Sequence, residues 1–161
     1  MSLELPELRA PRAPAADLEL PPNAAEFVAK FERYWSAPSV LGMRELLTDD
    51  VVLAQPLSRT TRGLADGQAA FAKIFRAVPD LRARVDDYCT KGSVLYIDFR
   101  LSGTYAGKFV EWPAVDRIRL RGSYACERVS YFDPSPIVRA LMSRPSAWFG
   151  ALRASFGFAR R

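Results

Sequence analysis

Apolar residues recur at helical spacing up to about Val78, and from Leu81 they alternate with polar ones at a period of two. Side chains of a strand point alternately to opposite faces, so Leu81–Thr90, Val94–Tyr105, Lys108–Leu120 and Tyr124–Phe132 read as four long strands. Lys91-Gly92, Ala106-Gly107 and Arg121-Gly122 lie between them and supply hairpin turns. Upstream, Asn23 with Glu26 is a capping-box start, and Phe27, Phe31, Tyr34 and Trp35 form one stripe of a helix reaching about Ser36. A short helix over about Val40–Leu47 follows, then a Thr48-Asp49-Asp50 turn and a strand, Val51–Gln55, stopped by Pro56. Leu57–Leu64 reads as a loop. Asp66 is expected to cap a third helix carrying Phe71, Ile74, Phe75 and Val78, and Ser135–Ser143 to form a last one. Helices followed by an antiparallel meander make an α+β domain over residues 23–144.

The third long strand carries the most chemistry. One face reads Val110, Trp112, Ala114, Asp116, Ile118, Leu120, so one carboxyl group sits in an otherwise apolar row. A buried carboxylate must be paired, protonated or placed in a cavity that holds water or ligand. With a three-residue connection in the last hairpin, Asp116 would oppose Arg128 on the same inward face, while a two-residue turn would break that pairing. Two readings follow. The pair is a structural tie fixing the sheet, or it is a pocket dyad in which Arg128 polarises an oxygen and Asp116 transfers a proton. Gln55, at a strand end, and Ser130 are polar residues expected near such a pocket. Tyr34, Phe99, Trp112 and Phe132 are expected as core residues that double as its walls. Asp98, Arg100, Arg117 and Arg119 fall on the outward face and are left out of the site, with Asp98 and Arg100 reading as a solvated or dimer-interface ion pair.

Composition narrows the chemistry. The chain of 161 residues is 49% hydrophobic and 25% charged, a globular balance. It contains no histidine, which removes histidine bases and most zinc, haem and non-haem iron sites. No metal or cofactor is expected. Cys89 and Cys126 read as two reduced, buried thiols of a cytoplasmic protein, and no signal peptide is visible. The net charge of +5 lies in the tail, because Arg139, Arg144, Arg153, Arg160 and Arg161 follow Asp133, the last acidic residue. A nucleic-acid surface on the main domain is therefore not expected. Met1–Pro22 is rich in proline and reads as a flexible leader or an arm laid on a neighbouring subunit. Residues 145–161 read as a basic amphipathic extension, ranked as a lid or packed segment, then a frayed end, then a membrane-surface helix.

The element order resembles the nuclear transport factor 2-like superfamily, which includes SnoaL-like polyketide cyclases, ketosteroid isomerases and limonene-epoxide hydrolases. The resemblance covers roughly residues 24–142. It is carried by Leu46-Leu47-Thr48-Asp49-Asp50-Val51, by Gly63 before the third helix, by Asp116-Arg117-Ile118-Arg119-Leu120 and by Ser130-Tyr131-Phe132-Asp133-Pro134. It implies a cone in which helices close one side of a bent sheet around an internal pocket for a small apolar molecule, and a homodimer formed through the outer sheet face. It also implies a cofactor-free isomerase, cyclase or hydrolase acting on a steroid-, terpenoid- or polyketide-like substrate by acid–base chemistry, or a non-catalytic ligand-binding or dimeric interaction module of the same fold. Asp116 falls where ketosteroid isomerases keep a protonated aspartic acid. Their general base falls at Gln55 and their oxyanion-hole tyrosine at Phe31, with Tyr34 nearly one turn later. Against the epoxide hydrolases, Gln55 resembles a water-orienting amide, but Leu53, Ile97, Phe99 and Ser130 replace the other catalytic groups. Neither catalytic set is complete here.

Overall fold

The computed structural model describes residues 23–142. Helix α1 (Ala24–Ser36) and a 3₁₀ turn (Leu41–Glu45) lead into β1 (Leu47–Ala54), the short β2 (Thr61–Arg62) and helix α2 (Leu64–Ala77). Strands β3 (Arg82–Lys91), β4 (Val94–Tyr105), β5 (Lys108–Arg121) and β6 (Tyr124–Phe132) follow, and helix α3 (Ser135–Met142) closes the described part. The expected leader and basic extension lie outside the described residues.

The strands form one unclosed sheet in the order β2-β1-β6-β5-β4-β3. The last four make the expected antiparallel meander. The sheet as a whole is mixed, because β1 lies parallel to β6. Thr48, Asp49 and Asp50, expected as a turn, fall inside β1 where the pairing with β6 is interrupted between Leu47 and Val52. The expected loop Leu57–Leu64 contains β2, whose Thr61 pairs with Leu53.

Local chemistry differs from expectation at both helix starts. Neither Asn23 nor Asp66 caps with its side chain. Glu26 instead pairs with Lys30 at 2.9 Å, one turn along the same helix, and α2 begins after Gly63, with Asp66 inside its first turn. The thiols differ too: both are free, but Cys89 is exposed and Cys126 only half-buried.

The core lies between the helices and the inward sheet face. Ala24, Phe27, Val28, Phe31 and Trp35 are the buried stripe of α1, and Phe31 meets Phe99 of β4 edge-on at 5.4 Å between centroids. The outward face carries ion pairs: Arg100 with Asp86 (2.9 Å) and Glu111 (3.5 Å), and Arg117 with Glu127 (2.6 Å). Asp98 is not the partner of Arg100.

At Gly103 the α2–β3 connection packs tightly on the sheet. A Cβ there would lie 2.5 Å from Val78 Cγ1 and 3.4 Å from Leu81 Cα. Val78 is stiff and 1% exposed, so it cannot yield. Gly103→Ala should therefore cost about 1–3 kcal/mol, and less in a Val78→Ala background. Urea unfolding of the four chains in that cycle checks both statements, and an unchanged stability for Gly103→Ala would contradict the packing.

Asp80 ties the same connection to β4. Its carboxylate accepts from Thr104 N (2.9 Å) and Thr104 Oγ (2.6 Å), and these donors hold it below the usual carboxylate range. A depressed native value means that the contribution is present at neutral pH and fades as pH falls through that value. Thr104→Val removes the hydroxyl donor, so the loss of stability between about pH 7 and about pH 3 should be smaller than in the parent chain. Chemical unfolding at both pH values measures it.

Candidate functional site

Strand β5 presents Trp112, Ala114, Asp116 and Ile118 inward, and all four are buried. Asp116 is 0% exposed. Its carboxylate accepts from two groups of β6: Arg128 Nε donates to Oδ2 and Ser130 Oγ to Oδ1. Arg128 is 8% and Ser130 4% exposed, so all three polar groups are enclosed.

The register that creates this cluster was not the one expected. The last hairpin has a two-residue turn, with Arg121 paired to Tyr124 and Gly122 at φ +61°. That register alone would turn Arg128 outward. Cys126 is an extra residue in β6: Leu120 pairs with Ala125, but Arg119 pairs with Glu127. A bulge of this kind shifts the following residues by one and so reverses their facing. As a result Ser130, not Arg128, stands opposite Asp116, and Arg128 stands opposite Ile118 on the same face. The expected partnership of Asp116 and Arg128 is present, reached diagonally along the strand.

Arg128 is held from the helix side as well. Its guanidinium carbon lies 5.8 Å from the Trp35 ring centre and 5.9 Å from that of Phe71, within cation–π range of both. Among the described residues neither terminal Nη group has a hydrogen-bond partner. Arg128 also lines a cavity of about 950 Å³. The guanidinium is therefore anchored at Nε and left with free donors at its far end.

Gln55, Trp112, Ser130 and Phe132 of the expected site line this cavity with Arg128. Asp116 does not; it sits behind Arg128 and Ser130 as their anchor. Phe99 is a core residue packed on Phe31, away from the cavity lining. Tyr34 is also absent from that lining. It borders a separate small void of about 20 Å³ on the α1 side of Arg128, and its hydroxyl donates to Ser39 O at 3.1 Å. Burial pushes the Tyr34 hydroxyl far above its ordinary range, with the nearby Arg128 charge opposing that shift.

Sequence reasoning missed Trp35 and Phe71 as covers of the guanidinium, and Tyr105, Thr61 and Ile137 in the cavity wall. Helical spacing marks Trp35 and Phe71 as buried, but nothing in the spacing names the charged group they meet. At the cavity mouth Leu57 is 67% exposed at φ +62°, a conformation seldom adopted by a branched side chain. No group of three or more candidate ligands for a metal ion occurs among the described residues. Nor is any described helix long and apolar enough to cross a membrane.

With this geometry in view, the comparisons with known proteins converge. A family model described as a SnoaL-like domain matches residues 26–126. In fold the chain is similar to a protein from Jannaschia sp. CCS1 assigned provisionally as a SnoaL-like polyketide cyclase (18% identity, 79% of this chain and 99% of that one, TM-score 0.68). It is similar to a protein of ketosteroid isomerase-like fold from Catenulispora acidiphila, solved with trimethylamine (15% identity, 71% and 91% covered, TM-score 0.66). TerC, co-crystallised with polyporic acid, is a third (14% identity, 74% and 98% covered, TM-score 0.67). No curated protein matches the chain.

Removing one half of a buried ion pair strands the other. Arg128→Met should destabilise the fold by about 3–5 kcal/mol, whereas Asp116→Leu combined with Arg128→Met should recover most of that loss. Urea denaturation of the single and double variants reads the recovery. Additive losses would mean that the two groups do not depend on each other.

Proposed function

The chain belongs to the SnoaL-like domain family, and on that premise we propose that it binds an apolar molecule through a carbonyl oxygen held and polarised by Arg128. The observation that carries this reading is the guanidinium anchored at Nε by Asp116, with both Nη groups free among the described residues, in the wall of a large cavity. A planar cation fixed at one edge costs little further ordering when an oxygen docks at the other. The surrounding rings supply apolar contact to the rest of the molecule.

Asp116 is a positioning residue in this reading. Both of its oxygens already accept hydrogen bonds and none of its surface is exposed, so a proton transfer to substrate would first have to dismantle the cluster. Gln55 cannot accept a proton as a base. The chemistry favoured is therefore oxyanion stabilisation: Arg128 lowers the energy of an enolate formed from the bound ketone. The proton leaves the carbon beside the carbonyl to water and a proton returns from water. Enolisation of this kind serves cyclisation or isomerisation of polyketone-like molecules. The provisional assignment of the Jannaschia protein as a polyketide cyclase supports that substrate class.

A second reading, binding without reaction, is favoured by one specific feature, the glutamine where a base would stand. One experiment separates the two. 4-Acetylbiphenyl and biphenyl are titrated against the parent chain and against Asp116→Leu/Arg128→Met by tryptophan fluorescence. The ketone should bind the parent at least about fivefold more tightly than the hydrocarbon, and the double variant should lose that preference. Equal binding of both molecules to the parent would refute the Arg128 anchor. Deuterium exchange of the acetyl methyl group, followed by NMR, then decides between the readings: acceleration over buffer that the double variant lacks marks catalysis, and its absence marks a binding module.

A further inference from the structure

The cavity has an exposed rim, and two of its members are large apolar residues. Leu57, from the loop after β1, and Leu141, from α3, both line it and are 67% and 36% exposed. Leu141 belongs to a wider patch. Val138 and Met142 are exposed beside it, at helical spacing on α3. Ile137 and Ala140 of the same helix are buried. A helix that is apolar this far round its circumference is one that a second surface covers.

The chain itself supplies the cover. Residues 1–22 and 143–161 lie outside the described part, and their points of attachment decide between them. Helix α1 reaches the cavity only with Trp35, near its C-terminal end. Residues 1–22 join its other end, about 17 Å away at 1.5 Å per residue. Residues 143–161 instead continue directly from Met142, beside the rim. Their sequence suits the task. Pro145 favours a change of direction after α3. Trp148, Leu152 and Phe156 then follow at i, i+4 and i+8, with Phe149 beside them and Arg153, Arg160 and Arg161 as a polar side. From Met142, the chain can carry Trp148 up to about 20 Å, enough to cross a cavity mouth.

We propose that residues 146–158 fold back across the rim as a lid, laying Trp148, Phe149, Leu152 and Phe156 on Leu57, Val138, Leu141 and Met142. The inference deepens the Arg128 reading, because the lid closes the cavity that the guanidinium lines with its Nη groups free among the described residues. Covering the rim drives water from around those groups, and a hydrogen bond from a cation to a bound oxygen strengthens as water leaves. A segment of the same chain closes without the loss of translational freedom that a separate partner would bear. The lid also sets residence time, since a bound molecule leaves only after it opens.

Trp148 reports on its own position. Trp35 and Trp112 are each 3% exposed, and acrylamide quenching of Trp148 is the difference between the parent chain and Trp148→Phe. Its ring should be shielded in lipid-free buffer. Leu57→Asn/Val138→Gln/Met142→Gln, three exchanges at exposed positions, should raise its quenching about threefold or more. Should that variant fail to fold, Leu57→Asn alone carries the same test. Quenching of Trp148 as strong in the folded parent as in the urea-unfolded chain, or unmoved by the rim exchanges, would overturn the lid. Residence is read by stopped-flow release of 4-acetylbiphenyl. Phe149→Ser/Leu152→Ser/Phe156→Ser, made in the full chain and altering none of the described residues, should release it about fivefold or more faster than the parent. Equal release rates would also overturn the lid. Capture of the parent by phosphatidylglycerol vesicles, together with a freely quenched Trp148 in buffer, would assign these residues to a lipid surface and overturn it too. A probe that binds neither chain refutes the Arg128 anchor instead, and the quenching of Trp148, which needs no ligand, then decides the lid by itself.

Discussion

A carboxylate with no exposed surface governs this fold. Water cannot stabilise Asp116, so protein donors must, and both come from the neighbouring strand as Arg128 and Ser130. Isolated ionised groups in apolar surroundings are costly enough that any register of β5 and β6 without these donors is excluded. The cluster adds little net stability by itself, since the desolvation of two charges offsets much of their attraction. Its effect is specification. It fixes which face of β6 turns inward, and with it the facing of Phe132 and the aim of the guanidinium.

That specification depends on one extra residue. The two-residue turn at Gly122 suits the right-handed twist of paired strands, but on its own it puts Arg128 on the wet face. Cys126 corrects the parity. The thiol does not itself supply the chemistry of the site; its backbone position does, and its Sγ donates to Arg119 O at 3.4 Å across the bulge. The helices complete the arrangement from the other side. Trp35 and Phe71, which would pack as ordinary core residues anywhere else, lie against a cation whose far end remains unpaired among the described residues.

Alternation of apolar and polar residues made the meander legible, because facing in a strand follows from parity alone. It also marked Asp116 as inward, and paired it with Arg128 by a route that proved different in detail. What it could not reveal was the bulge. No residue type signals where an extra position will be absorbed, and Cys126 looks like any half-buried strand residue. The parallel contact of β1 with β6 was equally hidden, since it joins segments far apart in sequence and leaves no local pattern. Phe99 and Tyr34 show the limit for walls: periodicity says that a side chain is inward, but whether it meets another ring or open space depends on how far the helices stand off. Near Phe99 they are in contact, and near Trp112 they leave a cavity.

The distribution of donors and acceptors in that cavity bears on its chemistry. Arg128 and the hydroxyl of Tyr105 can donate, while the one deep carboxylate is occupied at both oxygens. Burial pushes Tyr105 above its ordinary range, so it remains a neutral donor and not a phenolate base. Arg59, before β2, and Asp66 and Lys73, on α2, line the cavity from exposed positions, where water screens their charge. A surface rich in donors and poor in bases complements oxygen atoms that gain negative charge, and it does not by itself remove protons. Reactions whose difficulty lies in stabilising an enolate fit such a surface, whereas reactions that need a strong base do not. The architecture thus separates two tasks that a catalytic aspartate would combine. The buried carboxylate holds the cation still, and the cation, not the carboxylate, meets the ligand.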